Sequence, residues 1–434
     1  MTIAPFNTLL RDALTAAEEQ FTTANPTSLA RHQDASRVMP GGNTRTSLFY
    51  SPFPVAFAHG KDQYLTDLDG HQYVDLLGEY SAGLYGHSPA PVLDAVREAL
   101  DAGIAYGGPN VLEGELARAI IDRFPSVELL RFTNSGTEAN LFAIGAARAA
   151  TGRKTVIAFE SGYHGGVLSF RGDAPLNAPY PFVVCDYNDV PGTMAAVDAH
   201  ADDLAAVILE PMLGGGGAVP ATPEFIGAVR EATERVGAVL IIDEVMTSRL
   251  GPGGLQERYG VVPDLTTFGK YLGGGFSFGA FGGARRLMDR FNPTSPAGLA
   301  HPGTFNNNTV TMAAGLAGLR ELFTPEVAVA HNDKGDHLRD RLNAVFAEAD
   351  VAAQATGLGS ILGIHFQRSA IKSGRDIEAA PEKRALFHLE LIRRGFYIAR
   401  RGYLALPLPV TDHDLGQFVD AVSDVMSTHQ RVLS

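Results

Sequence analysis

The chain has a single cysteine, Cys185, among its 434 residues, which excludes an intrachain disulfide and any cysteine-rich metal site. It follows the apolar Phe182-Val183-Val184, so a buried structural thiol is expected. Nowhere do apolar residues run on for the ~20 positions that a membrane-spanning helix needs. Positive charge is scarce as well. Lys and Arg number 35 against 48 Asp and Glu, a formal net charge of −13, which argues against nucleic acid or an anionic membrane as the main partner. Small anionic ligands would need local basic or N–H-rich sites. The opening MTIAPFNTLLRDALTAAEEQF carries acids where a signal peptide has positive charge before an apolar run. It reads as an amphipathic helix, and the expected location is the cytoplasm. There is no HExxH, no GxSxG elbow and no GxxxxGK[ST] loop. Gly357-x-Gly359-x-x-x-Gly363 lacks the spacing of a dinucleotide-binding turn.

What is present describes an ordinary globular protein of enzyme size. Hydrophobic residues make up 45% and charged residues 19%, and the length calls for two or three packed units. Helical and strand periods alternate, which predicts α/β architecture. Helical spacing covers Glu113 to Phe124 and Glu138 to Ala150. Short β-rich runs lie at Leu129 to Phe132, Thr155 to Phe159, Ala205 to Leu209, Ala238 to Ile242 and Leu265 to Phe268. Continuous apolar strands of this kind belong to a parallel sheet covered on both faces. A long helix is expected over TVTMAAGLAGLREL from Thr309, then strands at Ile361 to Phe366 and Tyr403 to Pro407. A last helix is opened by Thr411 with Asp414 three residues on, as in a capping box. The expected organisation is a large α/β domain over residues 76–315 and a smaller α+β unit built from 1–75 and 316–434.

In open parallel sheets, ligands bind at the carboxyl ends of the strands. After Phe132 comes Thr133-Asn134-Ser135-Gly136-Thr137-Glu138, a hydroxyl- and glycine-containing turn into a helix. It suits either a phosphate site or an ordinary N-cap. Tyr163 sits between glycines after Phe159. Asp243 closes a fully apolar strand. Lys270 stands in TTFGKYLGGG with no acidic neighbour, a setting in which an ammonium titrates low and becomes a nucleophile able to form a Schiff base. An anion cup, an aromatic, a carboxylate and a lone lysine on one side of one sheet match the parts of pyridoxal 5′-phosphate (PLP).

The motifs NSGTEAN, GYHGG, LEPM, IIDEVMTSR, FGKYLGGG and HPGTFNNN stand in this order along the chain. In order and approximate spacing the sequence resembles the class III, fold-type I PLP-dependent aminotransferases, from about Pro40 to the C-terminus. Within that class, MPGGNTRTSLFYSPFP and RRGYLALPLP look most like β-amino acid aminotransferases acting on β-phenylalanine. Glutamate-1-semialdehyde aminomutases are related, but their Pro-Gly-Gly-Val-Asn-Ser-Pro-Val-Arg run differs from Gly41-Gly42-Asn43-Thr44-Arg45, which reaches its arginine sooner.

The resemblance implies that Ser135, Gly136 and Thr137 bind the phosphate, that Tyr163 and Val245 pack on the two ring faces, and that Asp243 holds the ring nitrogen protonated. Lys270 would carry the Schiff base and move the proton. Thr304 would reach the phosphate bound by a neighbouring subunit, which makes a homodimer with shared sites the working unit. Pyridoxamine phosphate would be the intermediate carrier between an amino donor and a keto-acid acceptor such as 2-oxoglutarate or pyruvate. Arg45 and Arg401 are the expected carboxylate-binding residues, with Arg400 the competitor for Arg401's role. Three other readings stay open: an aminomutase, an amine or ω-transaminase, and a catalytically idle PLP-binding protein.

Overall fold

The computed structural model describes residues 3–434. Its largest sheet has seven strands, in the order Leu129–Thr133, Gly279–Gly283, Leu265–Gly269, Val239–Asp243, Leu204–Leu209, Thr155–Phe159 and Phe182–Cys185. All pairings are parallel except the two made by Gly279–Gly283. Alternate residues feed two cores, as the two-residue period of a strand requires. Ile157, Phe159, Leu240 and Ile242 pack on Phe225, Ile226 and Val229 of the Pro223–Val236 helix. Val156, Ala158, Val239 and Ile241 pack on Ala139, Ala143 and Ala147 of the Gly136–Thr151 helix. The expected doubly covered sheet is present, and Cys185 is a buried thiol on its edge strand.

The antiparallel strand Gly-Ala-Phe-Gly-Gly is missing from the sequence reading, because glycine has low strand propensity. Its glycines answer to close backbone contact. A Cβ on Gly279 would stand 2.2 Å from the Ser135 carbonyl oxygen, and one on Gly282 would stand 2.7 Å from that of Leu129. The long helix expected from Thr309 is α-helical only to Ala317 and continues as a π-turn over Gly318–Leu322. There the Tyr85 ring lies 2.5 Å from where a Gly318 side chain would begin.

The two chain ends share one core, in which Phe21, Tyr50 and Phe53 meet Phe387, Phe418 and Val422. The Ile3–Ala24 helix turns Leu10, Ala17 and Phe21 inward, the amphipathic face expected of it. A small sheet joins Phe57–Lys61, Tyr64–Asp67 and Gln72–Asp75 to the late strand Phe396–Tyr397. Another holds Gln354–Leu358, Ile361–His365 and Tyr403–Ala405. The final helix opens with the expected capping box: Thr411 Oγ1 accepts from the Asp414 N–H at 3.1 Å, and Asp414 Oδ2 accepts from the Thr411 N–H at 2.8 Å. Among the described residues no helix is long and apolar enough to cross a membrane.

Candidate functional site

A cleft of about 290 Å³ opens at the carboxyl ends of the central strands, lined by Ser135, Gly136, Thr137, Tyr163, Asp243, Val245 and Lys270. The strand-end residues that the sequence singles out therefore meet in one place. Ser135 is the N-cap of its helix, its Oγ accepting from the Glu138 N–H at 3.2 Å, and it still faces the cleft. The first N–H groups of that helix have no intrahelical acceptor, so the turn is also an anion cup. Glycine is needed at two points of the cup wall. A Cβ on Gly136 would meet Val245 Cγ2 at 2.7 Å, and one on Gly165 would meet Thr137 Oγ1 at 2.3 Å.

Asp243 is the floor of the cleft, with 3% of its surface exposed. Its Oδ2 accepts from Asn140 Nδ2 at 2.8 Å and from His164 Nδ1 at 2.7 Å, and its Oδ1 accepts from the Val245 N–H at 2.9 Å. Asn140 in turn accepts from Thr267 Oγ1 at 2.7 Å and donates to the His164 carbonyl at 2.9 Å. The carboxylate is thus clamped in one orientation by three donors. Glu210 holds the neighbouring wall, accepting from the Tyr163 N–H at 2.9 Å and the Gly214 N–H at 3.0 Å. Burial pushes its carboxyl up to about 7. Sequence reasoning assigned no role to Asn140, His164 or Glu210, although each lies inside a quoted motif. The available signal was Asn140 one helical turn past Gly136, on the face that meets the sheet.

Lys270 follows the Leu265–Gly269 strand with φ 57, a left-handed conformation that costs a non-glycine residue about 1–3 kcal/mol. Its Nζ donates to the Tyr80 carbonyl at 2.7 Å. Burial lowers its ammonium to about 8, opposed first by Glu79 and helped by Arg401. Tyr80 belongs to a turn, Gly78-Glu79-Tyr80-Ser81, with φ values of 51, 47, 53 and 77. Three successive non-glycine residues in left-handed geometry are sterically unfavourable and need external support. The support is visible. Asp75 Oδ1 accepts from the N–H groups of Leu77 at 2.9 Å and Gly78 at 3.0 Å, and Tyr80 Oη donates to the Ser47 carbonyl at 2.8 Å. Gly78 can only be glycine, since a Cβ there would lie 2.4 Å from the Ala405 carbonyl oxygen.

The two expected arginines lie at the margin, outside the cleft lining itself. Arg401 lies over the rings of Tyr80 and Tyr403, at 5.2 and 5.1 Å. Arg45 pairs with Glu79, Nη1 to Oε1 at 2.5 Å. Both bear on the Lys270 ammonium, whereas Arg400 bears on the buried His388. Of the adjacent arginines it is Arg401 that packs on Tyr80, whose carbonyl accepts from Lys270 Nζ. Thr304 is exposed and does not line the cleft of its own chain. Tyr163 is 49% exposed at the mouth.

Residues 48–426 match the family model of class III aminotransferases. The β-phenylalanine transaminase of Variovorax paradoxus is 48% identical over 97% of both chains, and a β-phenylalanine aminotransferase structure from that organism superposes with a TM-score of 0.96, covering 98% of this chain and 99% of the other. A glutamate-1-semialdehyde 2,1-aminomutase of Rhodopirellula baltica is 39% identical over 79% of this chain and 82% of its own.

Proposed function

The chain belongs to the class III aminotransferases, and from that premise we propose that it moves the amino group of a β-amino acid, β-phenylalanine or a near analogue, to an α-keto acid with PLP as its cofactor. One observation carries the chemistry: a clamped, buried Asp243 and a low-titrating Lys270 close adjacent parallel strands and face one cleft beside an anion cup.

The residues fit the cofactor. The backbone N–H groups at Gly136 and Thr137, with the Ser135 and Thr137 hydroxyls, would hold the phosphate. Val245, which approaches only because residue 136 is glycine, would cover one ring face, and Tyr163 the other. Asp243, fixed by Asn140 and His164, would keep a proton on the ring nitrogen. When bound, PLP supplies an electron sink for the charge left on a deprotonated substrate carbon. Lys270 Nζ would hold the cofactor covalently and, once freed by the incoming amine, would be the base that takes the proton from the donor's carbon and the acid that delivers one to the acceptor's carbon in the second half-reaction. Its buried setting keeps a usable fraction neutral near pH 8. Glu210 fixes the Tyr163 backbone and so the position of that ring.

A planar guanidinium is the side chain best matched to a carboxylate. Arg45 would take the β-amino acid's more distant carboxylate, and Arg401 the α-carboxylate of the keto acid or glutamate. Resemblance to the V. paradoxus relative supports the β-amino acid assignment. A donor panel with 2-oxoglutarate and pyruvate tests it: β-phenylalanine should bleach the cofactor absorbance and give keto-acid-dependent turnover. The aminomutase reading, supported by the R. baltica relative, requires turnover without any acceptor. A chain that binds PLP but shows no bleaching with any amine would refute both.

The working unit is a homodimer in which Thr304, exposed within its own chain, completes the partner's phosphate site. Thr304→Ala should then weaken PLP retention. Mixing it with Lys270→Ala should restore part of the activity by subunit exchange, and no recovery despite demonstrated exchange would count against a contribution across the interface.

A further inference from the structure

Arg401 and Arg45 are held by different chemistry. Arg401 rests on the faces of Tyr80 and Tyr403, and ring faces leave the guanidinium's in-plane donors open to an arriving carboxylate. Arg45 is instead engaged by a carboxylate of its own chain, Glu79. The donor fork that pairs with Glu79 cannot serve a second carboxylate in the same way at the same time, so one acid must displace the other.

The pair is built into the fold. Glu79 occupies a left-handed position with φ 47, where Gly, Asn or Asp is favoured and Glu has no conformational advantage. What Glu offers there is reach. Tyr80 Oη donates to the Ser47 carbonyl, tying the turn that carries Glu79 to the segment that carries Arg45. The next carbonyl in the turn, that of Tyr80, accepts from Lys270 Nζ. The acid at Arg45 therefore sits one residue from the group that holds the lysine.

We infer that Glu79 is a resident competitor at Arg45: the donor's carboxylate must displace it, whereas a carboxylate arriving at Arg401 meets no such rival among the described residues. The inference rests on Arg45 being a substrate arginine, as proposed above. Its consequence is a dual-purpose pocket. Paired with Glu79, Arg45 is neutralised, and that side of the cleft accepts an uncharged group without stranding a cation. Released, it binds a carboxylate. Selection between carboxylate-bearing and carboxylate-free amines is then set by Glu79.

The test is calorimetry on the PLP-loaded enzyme with 3-phenylpropionate, which has the phenyl group and carboxylate of the β-amino acid but no amine. Glu79→Gln keeps length and removes the charge. Binding should tighten about three- to fivefold, the scale of losing a half-exposed ion pair. The KM for β-phenylalanine should fall in step, while the KM for pyruvate stays unchanged, which separates local competition from a general change in field. In an Arg45→Ala background the same substitution should give no gain. Glu79→Asn, better suited to the left-handed backbone, serves as the second variant if the Gln form does not fold. Unchanged or weaker binding in either variant, or a gain that persists without Arg45, overturns the inference. If the wild type deaminates no β-amino acid but the Arg45-dependent tightening is still seen, the substrate reading fails and the competition stands.

Discussion

The floor of the cleft and the outer wall at its margin are built on different terms. The floor is a buried network in which every polar atom on the Asp243 carboxylate has a protein partner. It leaves that carboxylate a single orientation. The wall is a left-handed turn carrying Glu79, with Arg45 and Arg401 beside it: Glu79 and Arg45 are half-exposed, and the arginines' partners, Glu79 for Arg45 and aromatic rings for Arg401, can be exchanged for a ligand. A buried charge without its partners is strongly destabilised, whereas an exposed pair contributes little. The floor therefore suits a permanent cofactor, and the wall suits two substrates that arrive in turn.

Breaking the floor should have the largest effects. On the proposed mechanism, Lys270→Ala would remove both the covalent anchor and the proton carrier. The variant should fold and retain PLP through the phosphate cup, lose the Schiff-base chromophore, and lose nearly all turnover. Retained activity would sink the mechanism. Asp243→Asn keeps shape but removes the charge, at an expected cost of about 3 kcal/mol in transition-state stabilisation, or roughly a hundredfold in kcat. PLP occupancy should fall less than the rate. Turnover near wild type would show that Asp243 does not hold the ring nitrogen.

The same contrast explains what was legible in the sequence. Floor residues stand at or just past the ends of apolar strands, within short motifs, so Ser135, Asp243 and Lys270 could be placed by reading each apolar run to its end and noting the polar residues that terminate it. The apolar neighbours of Lys270 also anticipate the downward shift of its ammonium. The wall is assembled from segments near residues 45, 79 and 401, and no local pattern links them. The left-handed turn at Glu79 and Tyr80 has a favourable residue only at Gly78, so the sequence carries no turn signature strong enough to reveal it. Asn140, His164 and Glu210 were hidden for another reason. Each lines the cleft while supporting another of its residues, and the partners lie 103, 79 and 47 positions away.

Changes to the wall should be smaller and selective. A lost charge-assisted hydrogen bond is worth roughly 1.5–3 kcal/mol. Arg45→Ala should raise the KM for β-phenylalanine more than for glutamate, and Arg401→Ala the reverse, in single-turnover half-reactions. Arg400→Ala, changed in parallel, should affect neither. Equal impairment of both half-reactions by both substitutions would refute the division of labour.

The smallest effect joins the two regions through Lys270. Its ammonium is pulled down to about 8 by burial and pulled up by Glu79, the first of the opposing influences. The neutral amine is the nucleophile, so in cofactor-free enzyme the rate of PLP capture, monitored by the Schiff-base absorbance, should rise with pH and level off above about 8. An ordinary exposed lysine would keep rising toward about 10.4. The direction for the variant is set by the sign of the charge. Glu79 stabilises the protonated form, so Glu79→Gln should move the midpoint down and speed capture at neutral pH. Arg401 lowers the same group, so Arg401→Ala should move it up. A midpoint that ignores both substitutions would mean that the wall and the lysine are electrostatically separate, and that the turn holds Lys270 through the Tyr80 carbonyl alone.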